Sequence, residues 1–323
     1  MGEKEPTGPN TVGLTTEIVE RGHEKLTGGV TELVGRAGRP LGRVVQTRPV
    51  VAFFVLTFAY SWGLFTLLYD LLGPERLAVT RSLHAPFAWG PPIAAIAVVH
   101  FRGGDVRSWL WAVADPRTNV RWYGLAVLAA LLFTNGDIVA GLAGTDFALA
   151  QPVSEIAAVF QFSLVLAGAL EEFGWRGFAQ SHLQERYNAL VTAVVVGITF
   201  GVWHYPWLLL GGAGYESAGV GMLVTFPIGT VLLSVVFAWL FTASGGVVPV
   251  VMVAHATVNA TPLLEVAGTV PGWVSTLEGL LLLGAVTLPI LVYGRAYLAA
   301  SGPDSDLLEH ARRHSDTVYT QNC

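Results

Sequence analysis

Six polar residues stand inside three apolar stretches of the chain: Glu171, Glu172 and Arg176 in LEEFGWRG, His204 at the end of FGVWH, and His255 with Asn259 in HATVN. Carboxylate, imidazole and amide are the groups that peptide hydrolysis draws on. One must act as a base within reach of a water, and N–H donors must meet the tetrahedral oxygen. The same side chains suit two other chemistries, an open zinc site and a proton relay. Spacing narrows the roles. His255 and Asn259 stand at i and i+4 and share a helix face, as do Glu172 and Arg176, in the order that favours an ion pair. Neighbours on a helix point about 100° apart, so Glu171 and Glu172 are expected to do different work. Read on its own, the Glu172–Arg176 pair is structural, because pairing lowers the cost of burying both charges. A lone His204 would read as a packed core residue.

These residues must be positioned by membrane helices. The chain has 323 residues, 53% hydrophobic and only 13% charged, with a mean hydropathy of +0.55. Soluble domains carry about a quarter charged residues. The fold class is therefore an all-α, polytopic membrane protein. Eight runs approach the 20 or so apolar residues that cross a bilayer, at about 50–72, 84–101, 122–143, 154–185, 189–210, 220–243, 246–264 and 274–297. The polar set falls on runs four, five and seven. An ionisable group at the bilayer centre costs about 2.5–3.5 kcal/mol on the insertion scale, so such groups face a polar interior and mark function. Runs four and five form an antiparallel hairpin about Tyr187 and Asn188, and Glu171 and His204 are equidistant from that turn, so they lie level. His255 enters its helix to a depth of about 14 Å. Run four is longer than a bilayer requires. Asp137 has no partner in the pattern, and His84 and His100 lie near span ends, where the interface accounts for them.

Arginines at 36, 39, 43 and 48, at 102, 107, 117 and 121, at 186 and at 295 alternate with loops holding only Arg76 and Arg81. The positive-inside rule then puts both termini in the cytosol. The domain expectation is a polar cytosolic tail over 1–48, with a weak surface helix near Leu26 to Val34, a membrane domain over 49–298, and a second polar tail over 299–323. Residues 105–115 read as an interfacial helix. The first residues lack a signal-peptide pattern. The single cysteine, Cys323, excludes an internal disulfide and a cysteine-built metal site. No basic, aromatic-laced patch points to nucleic acid.

In order, spacing and membrane setting, Glu171-Glu172-x-x-x-Arg176, Phe200-x-x-x-His204 and His255-x-x-x-Asn259 resemble the CAAX protease and bacteriocin-processing (CPBP, Abi) family, which includes the Ras-converting CAAX endoprotease. The resemblance covers about residues 153–264. It implies an eight-helix intramembrane glutamic endopeptidase in which Glu171 is the base that activates water and His204 assists it. His255 and Asn259 would then stabilise the oxyanion, with Glu172 and Arg176 supporting. Trp175 stands where family members often carry Phe, which bears on substrate shape.

No cofactor is expected under this reading; zinc is the minority alternative, since no His-Glu-x-x-His helix is present. Expected partners are membrane lipid and a hydrophobic or lipidated peptide or protein substrate. The expected location is a prokaryotic plasma membrane, as an integral, multi-pass protein. A catalytically silent scaffold or immunity factor and a proton-coupled transporter stay open. The transporter reading would call for inverted repeats of broken helices, whereas the polar cluster lies only in runs four to seven.

Overall fold

The computed structural model describes residues 42–73, 76, 84–134, 151–210, 219–261 and 272–300, and among them every regular element is helical. Residues 1–41 with the expected surface helix, Arg81, Asp137, the far end of run three and the tail beyond 300 lie outside the described residues.

The helices are α1 (Pro49–Leu72), α2 (His84–Ala88), α3 (Gly90–Phe101), α4 (Val106–Val113), α5 (Arg121–Thr134), α6 (Val153–Leu166), α7 (Glu171–Gly174), α8 (Ser181–Leu183), α9 (Ala189–Trp203), α10 (Tyr205–Leu210), α11 (Met222–Ala243), α12 (Val248–Ala260) and α13 (Gly272–Tyr293). Among the described residues, four stretches are long and apolar enough to span a membrane: Pro49–Leu72, Val153–Leu183, Ala189–Leu210 and Met222–Ala243. Shorter apolar helices run over Arg121–Leu132, Val248–Ala260 and Gly279–Tyr293. The chain is thus an all-α, polytopic, integral membrane protein.

Two expected spans are broken. Run two divides at Trp89, because Pro91 and Pro92 lack amide hydrogens and suit the first turn of a helix better than its interior. Run four is not one overlong helix. At Ala167 the backbone leaves the helical region (φ −130°, ψ −126°), and the chain re-forms as a 3-10 turn over Gly168–Leu170, as α7, and as a π-helical stretch over Trp175–Gln180. The break is tied from outside: Trp89 Nε1 donates to the Leu166 carbonyl at 2.9 Å. A neighbouring donor of this kind lets a broken helix persist in an apolar setting.

Close approach elsewhere fixes the frame around the polar layer. Helix α9 lies directly on α11 because Gly197 and Gly201 face it one turn apart; a Cβ on Gly201 would come within 2.6 Å of Pro227 Cα. Thr230 Oγ1 donates to the Gly197 carbonyl at 2.9 Å across that seam. From α1, Trp62 Nε1 reaches the Trp203 carbonyl at the end of α9 (3.0 Å), and Ser61 Oγ reaches the Phe87 carbonyl (2.8 Å). Helix α4 starts at Asp105, whose carboxylate caps Ser108 N, and it buries Trp109 and Val113 while Trp111 stays exposed. That is the one-sided pattern of an interfacial helix. In the following loop, hydrogen bonds from Arg117 hold the Asp115 carboxyl below the usual carboxylate range.

Candidate active site

The two adjacent glutamates are both buried but differ in their partners. Glu172 is fully engaged: Oε2 accepts from Arg176 Nη1 at 2.9 Å, one turn on, and Oε1 accepts from His255 Nδ1 on α12 at 2.7 Å. Arg176 extends the network to α11, donating from Nη2 to Ser234 Oγ at 3.0 Å and resting over the Phe237 ring at 5.0 Å. The buried guanidinium is thereby matched by a carboxylate, a hydroxyl and an aromatic face. A pair expected to be structural therefore has a second task, because it also fixes an imidazole.

Glu171 has no such partner. Among the described residues its one hydrogen bond comes from the Trp175 indole at 3.4 Å, at the long limit of such contacts, although only 1% of the residue is exposed. Trp175 closes the layer edge-on against Phe200 (5.7 Å) and Trp203 (6.0 Å). These aromatics pack around the polar groups.

His204 caps the end of α9. Its Nδ1 meets the Phe200 carbonyl at 2.9 Å; a carbonyl only accepts, so Nδ1 carries the hydrogen and Nε2 offers a lone pair. The ring stands edge-on to Phe200 (4.8 Å) and Trp203 (4.8 Å). Phe200 also stands edge-on to His255 at 5.9 Å, so one phenyl ring touches both imidazoles. The hairpin argument from the sequence thus leads to a single layer: Glu171 beside Trp175, Trp175 beside Phe200, and Phe200 between His204 and His255.

His84 belongs to this layer as well, which corrects its reading as a span-end residue. The His84 ring lies nearly parallel to His204, 6.3 Å away and tilted by 23°. Nothing in its local sequence pairs it with His204, since 120 residues separate them.

His255 and Asn259 share a face of α12 as the spacing requires. Asn259 Nδ2 donates to Ser163 Oγ on α6 at 2.8 Å. The backbone at the break in run four passes so close that a Cβ on Gly168 would collide with Asn259 Nδ2 and stand 3.0 Å from His255 Nε2. Both nitrogens therefore border the space that this glycine leaves open. Ser163 and Gly168 escaped the sequence reading. The small-residue run Ala167-Gly168-Ala169 just before the glutamates was the available signal for the second; nothing marked the first.

Among the described residues, no three His, Cys, Asp or Glu side chains are grouped as a metal-ligand set.

Residues 153–261 match the family model described as type II CAAX prenyl endopeptidase Rce1-like. The chain is also similar to a curated protein, CAAX prenyl protease 2 of Methanococcus maripaludis, with 26% identity over 101 residues, or 30% of this chain and 37% of that protein. The aligned region thus spans little more than a third of the relative's length. All six polar residues of the layer fall within the matched segment. Through that segment the chain is similar to the Rce1-like CAAX prenyl endopeptidases.

Proposed function

We propose that this protein is an intramembrane endopeptidase that cleaves a hydrophobic or lipidated peptide or protein near the membrane, with Glu171 as the base that activates water. The observation that carries this reading is the division of labour between adjacent carboxylates. Glu172 is bound to Arg176 and His255, while among the described residues Glu171 has only a 3.4 Å indole contact and so keeps an oxygen for a water. The family match supports a protease in general terms. The catalytic type and each residue's role are our inference.

Glu171 takes a proton from water as the water oxygen attacks the scissile carbonyl carbon, and the Nε2 lone pair of His204 helps orient that water. Negative charge on the carbonyl oxygen is met by His255 Nε2 and Asn259 Nδ2 in the space beside Gly168. Since His255 Nδ1 donates to Glu172, donation from Nε2 as well calls for the imidazolium, whose charge faces the Glu172 carboxylate. The tetrahedral adduct then collapses, the C–N bond breaks, and the proton held by Glu171 passes to the leaving amine nitrogen. Water is consumed and no cofactor enters the balance. We place both termini on the cytosolic side, a reading supported by the arginines flanking alternate spans.

The test is mass spectrometry of products from a hydrophobic or farnesylated peptide incubated with purified wild-type or Glu171→Gln protein, with and without a chelator. Cleavage by the wild type alone, unaffected by the chelator, is expected. Equal cleavage by both proteins would overturn the assignment of Glu171, and loss on chelation would favour the zinc alternative.

A further inference from the structure

The described part of the N-terminal third contributes one ionisable side chain to the layer, and nothing in the family match covers it: His84, the first residue of α2. Its ring is held on several sides, 5.4 Å from Trp207, 5.7 Å from Phe87 and 6.3 Å from His204. Among the described residues its buried Nδ1 has no hydrogen-bond partner. Buried ring nitrogens are normally satisfied, and a phenylalanine would fill the same aromatic niche with no polar atom to satisfy. The identity of the residue therefore asks for a use of the nitrogen. His204 is fixed at one edge by the Phe200 carbonyl and walled by Phe200, Trp203 and Phe226. Of these described rings, the Trp203 indole can only donate, whereas His84 can both donate and accept.

We propose that His84 is a second imidazole of the hydrolytic layer. It is a positioning residue that lies along the face of His204 and uses its ring nitrogen to order the water through which His204 assists Glu171. The proposal rests on the endopeptidase reading above.

The experiment compares the full-length wild type with His84→Phe, His84→Gln, His84→Ala and Glu171→Gln, measuring kcat and KM on one farnesylated peptide and the thermal midpoint in detergent. His84→Phe keeps the ring and removes the nitrogens. Its thermal midpoint and KM should stay near wild type while kcat falls by up to about a hundredfold, the scale of a misplaced catalytic group. Added imidazole should restore part of the kcat of His84→Ala, and toluene should not. Wild-type turnover by His84→Phe overturns the proposal, as does rescue of His84→Ala by toluene as well as by imidazole. If His84→Phe fails to fold, His84→Gln and the imidazole rescue decide: wild-type kcat in the first or no response in the second also overturns it. An inactive Glu171→Gln beside a fully active His84→Phe removes this proposal and leaves the endopeptidase reading standing. Equal cleavage by wild type and Glu171→Gln removes both.

Discussion

His255 and Glu172 are joined between separate helices by a 2.7 Å hydrogen bond, and the same carboxylate holds Arg176 at 2.9 Å. The second glutamate of the pair therefore orients an imidazole through one oxygen and neutralises a guanidinium through the other. Stability and turnover depend on the two oxygens in different ways.

Replacing Glu172 by Ala removes the carboxylate hydrogen-bonded to a buried guanidinium, and unfolding in detergent should show a loss of about 3–5 kcal/mol. The double variant Glu172→Leu with Arg176→Met removes both charges, which in comparable pairs is close to neutral. It should recover most of the stability while turnover stays low, because His255 has lost its acceptor. Recovery of both properties would reduce the network to packing.

Gly168→Ala puts a methyl group against Asn259 Nδ2 and His255 Nε2. Under the proposed mechanism this displaces the oxyanion donors and should lower kcat by about a hundredfold or more, since a single donor carries about 10²–10³ in rate in comparable sites. Overpacking should cost about 1–3 kcal/mol of stability. Steady-state cleavage and a denaturation curve check both.

Ser163→Ala removes the acceptor that Asn259 uses. One neutral hydrogen bond contributes about 0.5–1.5 kcal/mol, so the variant should be only slightly less stable and should lose less turnover than Asn259→Ala. Both variants should bind substrate with little change in KM. A Ser163→Ala protein as impaired as Asn259→Ala would show that the serine has a role of its own in the reaction.

Gly201→Ala forces α9 away from Pro227 on α11. Since His204 lies less than one turn further along the same helix, stability and turnover should fall together, the first by about 1–3 kcal/mol. Measuring the two on the same preparation tests whether the α9–α11 seam positions the histidine.

Much of this arrangement was legible because apolar length and i,i+4 spacing are local properties. The runs holding Glu171, His204 and His255, and the shared face of His255 and Asn259, follow from them directly. The hairpin about Asn188 was equally local, and it placed His204 in the layer of Glu171 by simple equidistance. The rest depended on departures from ideal helices. No rule of periodicity signals that the backbone leaves the helix at Ala167 and brings Gly168 against Asn259, since the partner that stabilises the break, Trp89, is 77 residues away. His84 was missed for the same reason, since 120 residues separate it from His204. Glu172 was assigned half of its role, as spacing along one helix reveals Arg176 but cannot reveal His255 on another.

The indoles of Trp62 and Trp89 end on the carbonyls of Trp203 and Leu166, at the C-termini of the two helices that flank the polar layer. Helix ends leave carbonyl groups unsatisfied, and hydrocarbon offers them no donor. Both indoles lie upstream of residue 153, outside the family-matched segment. That segment is thus not a transplantable cassette: moved into another helical scaffold, it would arrive with two main-chain acceptors exposed to an apolar host, and a working chimera would have to import the two tryptophans along with it.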